Sequence, residues 1–393
     1  MYIDCELEML HKWGSDGSSG HSVYKQKFNE SVSSDSAVLF TAIVPLQLRK
    51  LSIASEILWT NPLPSSTRYC KPFRIRHKKE SKDAIIEEEQ YFINQISLLQ
   101  PSEIDIGDGK TLRITHSLKM TMIDGKTRNV LMDVASMARC SGCGATPTQM
   151  SVVDSVINRS VNIDVFKYGI SVLHSRIRFF ECLLHISYRL EIKKWSVKQE
   201  LYRERKTRIQ DELRENLGIL VDVVKQGCGS TNDGNTARRF FECATEVAAI
   251  TGLDQELIER FSVVLNTIAC GYTIDIDKFR DYCIKTAKLY DKLYPWYYMP
   301  VAVHFLLIHG ADIIESIELP IGLYSEEALE ARNKNIRSFR EHRTRKVSRV
   351  STMTDLLQRL LLTSDLVFSS FKNVKPKNKD LLPYGVQNLL LME

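Results

Sequence analysis

Apolar residues in the first third of the chain cluster in short runs that do not recur at helical intervals. The run AVLFTAIV over 37–44 and the run LRITHSLKMTMI over 112–123 are rich in β-branched and aromatic residues, the second with partial alternation, and both predict strands. Between them, positions 82–99 place Ile85, Ile86, Phe92, Ile93, Ile96, Leu98 and Leu99 at helical spacing, and the pattern stops ahead of Pro101. Strands, a helix and a further strand predict an α/β layer. From about Val161 the period turns helical and stays so, over 166–190, 196–224, 236–251, 254–270 and 276–290. The turn-rich 227–234 predicts a loop, and Pro295 and Pro300 bracket the aromatic trio Trp296, Tyr297 and Tyr298. A helix-like 353–363 precedes a Lys/Pro-rich stretch and a short apolar tail, and no internal repeat is visible.

Composition narrows the class. With 393 residues, 44% hydrophobic and 26% charged, the chain has ordinary globular usage. No apolar run is long enough for a membrane span, and the first residues lack the basic-then-apolar order of a secretory signal. Nine scattered cysteines do not suggest a disulfide framework and point to a reducing compartment. The net charge of +5 says little, but its distribution says more. Arg332, Lys334, Arg337, Arg340, Arg343, Arg345, Lys346 and Arg349 crowd one stretch opposed only by Glu341, the footprint of a polyanion binder. A second cluster holds Lys71, Arg74, Arg76, Lys78 and Lys79. A third, from Arg189 to Arg208 and including Lys198, is interspersed with Glu191, Glu200 and Glu204 and reads as a solvated helix face.

Three groups of residues can carry chemistry. Asp16, in Trp13-Gly-Ser-Asp16-Gly-Ser-Ser-Gly20-His21, follows an apolar-rich segment, although locally Asp-Gly reads as a turn. Asp124, in Met122-Ile-Asp124-Gly-Lys126, ends a predicted strand and carries the same alternative. Cys140-Ser-Gly-Cys143 has the spacing of half a zinc site and His304-Phe-Leu-Leu-Ile-His309 that of the other half. The alternatives there are a redox dithiol and ordinary core or surface histidines.

Taken together, these segments resemble the Transib transposases and, more distantly, the catalytic core of V(D)J recombination-activating protein 1. The likeness is carried by 13–21, Ile123-Asp-Gly-Lys126, Cys140-Ser-Gly-Cys-Gly-Ala-Thr146, Gly234-Asn-Thr-Ala-Arg-Arg239, Tyr294-Pro-Trp-Tyr-Tyr-Met-Pro300, Ile308-His-Gly-Ala-Asp-Ile-Ile314 and Glu326-Glu-Ala-Leu-Glu-Ala-Arg-Asn-Lys334, in the family's order over nearly the whole chain. The resemblance implies an α/β ribonuclease H-like catalytic core with a large, mainly α-helical zinc-containing insertion. The segments would be an α/β unit over 1–133, the insertion over 134–320, and a C-terminal helical segment over 321–393 with the last acid and the basic run. By motif position Asp16, Asp124 and Glu330 match the catalytic acids, with Glu327 and then Glu326 as alternatives for the third. Cys140, Cys143, His304 and His309 match the zinc ligands.

The resemblance also implies a DDE-type endodeoxyribonuclease and transposase that cleaves and transfers DNA strands with two Mg²⁺ or Mn²⁺ ions. Zinc would be structural. DNA contacts are expected at Arg332, Lys334, Arg337, Arg340 and Arg343, and at Arg238 and Arg239, for which a plain helix-surface role is the alternative. Further expectations are double-stranded DNA as partner, a homodimer, an accessory recombinase subunit, no membrane, and a nuclear location. Family members carry long N-terminal regions that bind DNA ends, whereas this sequence begins fifteen residues before Asp16. The alternative expectation is therefore a truncated or domesticated DNA-binding protein without autonomous catalysis.

Overall fold

The computed structural model describes residues 5–20, 36–53, 56–194, 199–225, 229–371 and 378–391. His21, Ser196, Lys198, Gly227, Cys228 and the Lys/Pro-rich 372–377 of the sequence reading lie outside the described residues. The chain divides into two compact units, Met1–Leu131 with Leu323–Lys377, and Met132–Gly322 with Asn378–Glu393.

The first unit begins with β1 (Cys5–Ser19), β2 (Ala37–Lys50), β3 (Ile57–Thr60), β4 (Lys71–Arg76), α1 (Lys82–Ser97), β5 (Ser102–Asp105), β6 (Thr111–Met120) and α2 (Gly125–Leu131). Its sheet has the order β3-β2-β1-β6-β5, with β4 also paired to β2. β1 runs antiparallel to β2 and parallel to β6, with Trp13 opposite Met120 at the end of the parallel ladder. This mixed sheet is compatible with a ribonuclease H-like core. β2 is buried from Ala37 to Gln47, which explains its unbroken apolar run: a central strand covered on both faces has no polar side to present. α1 starts where the Ser81 hydroxyl accepts the Ala84 amide at 3.2 Å, and it ends at Leu98, ahead of Pro101. It buries Ile85 and Phe92, and the Phe92 ring lies 5.3 Å from that of Trp13 on β1.

The second unit is helical, with α3 (Pro147–Met150), α4 (Val153–Val156), α5 (Val172–Ser187), α6 (Gln199–Leu217), α7 (Gly234–Glu242), α8 (Ala244–Thr251), α9 (Gln255–Ala269), α10 (Ile276–Leu293) and α11 (Val301–Glu315). Aspartates cap three of these: Asp233, Asp254 and Asp275 accept amides of the first turns of α7, α9 and α10. Edge-to-face pairs, Phe179 with Phe261 at 4.6 Å and Phe180 with Phe240 at 4.9 Å, stitch its core. The chain then supplies α12 (Glu327–His342), α13 (Arg349–Leu362) and α14 (Leu366–Ser370) to the first unit. The closing segment, with α15 (Tyr384–Gln387), belongs to the second unit, where the Asp275 amide donates to Leu389 O at 2.9 Å. Among the described residues, no helix is long and apolar enough to cross a membrane.

Candidate functional site

Asp16 does not sit in a turn. It lies within β1, paired with Phe40 of β2, because the Gly/Ser-rich run is drawn out as a strand by its neighbour. Asp16 lies three residues past Trp13 within β1, and Asp124 four past Met120, just beyond the end of β6. The amides of Thr121 and Met122 both donate to Trp13 O at 3.1 Å, so the chain leaving β6 stays on β1. That approach requires glycine at position 14, where a Cβ would stand 2.0 Å from the Met122 carbonyl oxygen. Asp124 then turns the chain into α2, its Oδ1 accepting the Thr127 amide at 2.7 Å. Both aspartates are half-buried.

The candidates for a third acid lie at the start of α12. Asn333 on that helix donates from Nδ2 to Asp16 Oδ2 at 2.5 Å, and the Gly17 amide donates to Asp16 Oδ1 at 2.8 Å. At roughly 100° per residue, Glu326 and Glu330 lie about 20° and 60° from Asn333 around the helix, and Glu327 about 120°. Glu327 thus leaves the stripe that faces β1. Glu326 is buried at the N-cap, while Glu330 is half-buried in the first turn, 4.0 Å from Lys334. The lead into α12 is tied to both aspartate-bearing segments: buried Lys12 donates to Ser325 O at 2.6 Å, and the Thr121 hydroxyl to Tyr324 O at 3.2 Å.

Sequence reasoning missed Glu80, Lys126 and Asn333. Lys126 lies 2.8 Å from Glu80. Partial burial works to lower its pKa, but the hydrogen bond and charge of Glu80, with the charges of Asp124 and Asp16, raise it overall. Lys126 followed a noted Asp-Gly pair, and Asn333 lay within a noted motif; Glu80 has no local signal.

The soft donors form a tighter group. In the Cys140–Cys143 turn, the Gly144 amide returns to Cys140 O at 2.9 Å and the Cys140 amide donates to Ala145 O at 3.0 Å. α11, entered at Pro300, carries His304 and His309, both buried. The ligand atoms of all four residues lie within 4.8 Å of one another, the one such group among the described residues. Gly142 lets the turn close on the helix, since a Cβ there would be 3.2 Å from the His309 ring. Cys143 Sγ is 3.3 Å from His304 Nε2. A hydrogen bond from Cys140 draws the Cys143 thiol well below its ordinary range against the opposing effect of burial, and His304 and His309 add to it. Burial holds His304 below the usual imidazole range. Buried Nδ1 atoms on both histidines have no hydrogen-bond partner within the described structure. Two thiols and two imidazoles fit a tetrahedral ion, whose bonds of about 2.0–2.3 Å would need only a small contraction of the group.

Asp16, Asp124 and Glu330 do not converge this closely. Their hard oxygen donors fit a hydrated divalent ion such as Mg²⁺ or Mn²⁺, which keeps several waters and takes one or two carboxylates directly. Asn333 Oδ1, buried beside them without a hydrogen-bond partner, fits the same description.

The expected DNA contacts divide. Arg332 is fully buried and donates to Thr363 Oγ1 at 2.7 Å, to Cys70 O at 3.0 Å and to Thr67 O. It braces α12 inside the first unit and cannot offer its guanidinium to a phosphate. Arg340 is also buried, and Arg337 donates to Ser19 O. Arg239 is exposed, but its guanidinium closes the end of α6 on Leu217 O at 2.5 Å and Gly218 O at 3.0 Å. Arg238, Lys334 and Arg343 are exposed.

No protein-family model matches the chain, and no curated protein matches it. Among solved structures it is similar to the Drosophila P element transposase strand transfer complex, at 7% identity and a TM-score of 0.37, covering 91% of this chain and 77% of that one.

Proposed function

We propose that the first unit is a metal-dependent DNA strand-cleaving and strand-transferring core of the DDE type, similar to the Transib transposases. The observation that carries this reading is the Asn333–Asp16 bond, which sets the start of α12 against the ends of β1 and β6, where the two aspartates stand. In this reading Asp16 and Asp124 hold divalent ions with Glu330, and Lys126 and the exposed Lys334 draw the phosphate backbone in. When bound, such ions activate the attacking oxygen and stabilise the leaving oxygen in an in-line displacement at a phosphodiester. Glu330 is preferred as third acid because its motif matches the family pattern Glu-x-x-Asn-Lys and because it reaches solvent where buried Glu326 does not.

Zinc at Cys140, Cys143, His304 and His309 is proposed as structural, since four protein donors leave no open position. Double-stranded DNA as partner, a homodimer, an accessory subunit and a nuclear location belong to the same proposal. A second reading, DNA binding without cutting, is favoured by the looser arrangement of the acids. The test is a nicking assay on supercoiled DNA with Mn²⁺. Cleavage by the full chain and its loss in Asp16→Asn, Asp124→Asn and Glu330→Gln would support the enzyme. Equal nicking by all four would refute the assignment, and DNA binding with no nicking at all would support the second reading.

A further inference from the structure

Asn333 stands one turn beyond Glu330 and is 7% exposed. Its two polar atoms are differently occupied. Nδ2 donates to Asp16 Oδ2, whereas Oδ1 is buried and has no hydrogen-bond partner. The amide cannot be turned over, because that would set its oxygen against a carboxylate oxygen, acceptor against acceptor. A buried carbonyl oxygen is seldom left without a donor unless water or a ligand supplies one. Here the group beside that oxygen is the Asp16 carboxylate, which Nδ2 holds at 2.5 Å.

Resting on the proposed metal-dependent reading, we propose that Asn333 is a positioning residue of the acid site: its Nδ2 fixes the Asp16 carboxylate, and its Oδ1 accepts a hydrogen bond from water bound to a divalent cation. Mg²⁺ and Mn²⁺ give up their water reluctantly, so a site that takes them needs acceptors for that water as well as direct ligands. One side chain then serves both needs, and it rides on the helix that brings Glu330. The Asp16 carboxylate is thereby tied to the helix that carries Glu330.

The test is Mn²⁺ binding to the full chain, followed by the paramagnetic resonance of the free ion, in wild type, Asp16→Asn, Asn333→Leu and Asn333→Ser. Removing an outer-shell partner typically weakens metal binding about 10–100-fold, and Asn333→Leu should do the same. Asn333→Ser keeps a donor and an acceptor on a shorter arm and should fall between Asn333→Leu and wild type. Thermal unfolding by circular dichroism separates a lost site from a lost fold, and Asn333→Ala replaces the leucine variant if leucine does not fit. If Asp16→Asn loses Mn²⁺ while Asn333→Leu and Asn333→Ala bind it as wild type does, this inference is overturned and the metal site stands. If wild type binds no more Mn²⁺ than Asp16→Asn, the metal-dependent reading falls, and this inference with it.

Discussion

Replacing Gly14 by alanine should separate the two strands that carry the aspartates without touching either carboxylate. The added Cβ would lie 2.0 Å from Met122 O, 2.5 Å from Met122 C and 2.8 Å from Met122 Cβ. Two of those three atoms are backbone, so no rotamer change relieves the contact and the segment leaving β6 must move away. That movement loosens two amide bonds to Trp13 O, each worth about 0.5–1.5 kcal/mol, and adds roughly 1–3 kcal/mol for overpacking a filled site. A destabilisation of about 2–6 kcal/mol follows from those two contributions. Gly125→Ala is the control. It lies beside Asp124, yet its Cβ would meet only the end of Arg128 at 3.8 Å, and alanine within a helix is favoured over glycine by roughly 0.5–1 kcal/mol. Urea unfolding of both variants, with Mn²⁺ binding as a second readout, distinguishes them. A Gly14→Ala protein as stable as wild type would show that β1 and 121–123 do not approach as described, and the placement of Asp16 beside Asp124 would lose its basis.

Three further outcomes are expected. Cys140→Ser, or prolonged chelation of the wild type, should remove one zinc per chain and lower the cooperativity of unfolding, because a structural ion contributes folding free energy directly; metal analysis of folded protein that finds no zinc refutes this. His11 Nε2 and His116 Nδ1 meet at 3.2 Å, and burial first, then the charge of His116, hold His11 down from 6.5 to about 4. A histidine kept neutral by folding gives stability that is whole above about 6.5 and is lost as pH falls toward 4, so urea midpoints should drop over that window in wild type and less so in His11→Gln; equal slopes would exclude the pair as the cause. Finally, Lys334, Arg343 and Lys346 together changed to alanine should flatten the slope of log affinity for duplex DNA against log salt by up to about three units, near 0.9 per phosphate contact. An unchanged slope moves the DNA path off α12, and a sharp flattening by a folded Arg332→Met protein would contradict the burial of that side chain.

Much of the architecture was legible because its causes are local. The apolar run of β2, the helical spacing and proline stop of α1, and the Cys-x-x-Cys turn all depend on neighbours within a few residues. Asp16 was not legible locally: Asp-Gly-Ser-Ser is turn chemistry until β2 pairs with it, and that pairing sets Asp16 opposite Phe40. The basic run misled in an instructive way. Counting charges ignores direction, yet Ala328, Leu329, Arg332, Ile336 and Arg340 recur at helical intervals and are all buried. The apolar spacing around Arg332 was present in the sequence and marked it as a core position. The role of Asn333 was hidden because it rests on a contact 317 residues away.

The two candidate metal sites consequently differ in what their geometry depends on. At the Cys/His group, one pair of ligands is fixed by a tight turn and the other by a single helix, so each half is set by its own short segment. At the acid site, no two of the three carboxylates share an element. Their arrangement depends on α12, and α12 is held by hydrogen bonds to partners far off in sequence: Lys12 donates to Ser325 O, Thr121 to Tyr324 O, and Arg332 to Thr67 O and Cys70 O. Lys12 and Arg332 are buried cations that donate to backbone carbonyls, and a buried charge is held where such acceptors are within reach. Two of the residues that hold α12 beside the aspartates are therefore basic ones, alongside Thr121 and Asn333. That is why a search for acids at plausible spacing yields candidate acids but not what holds them in place.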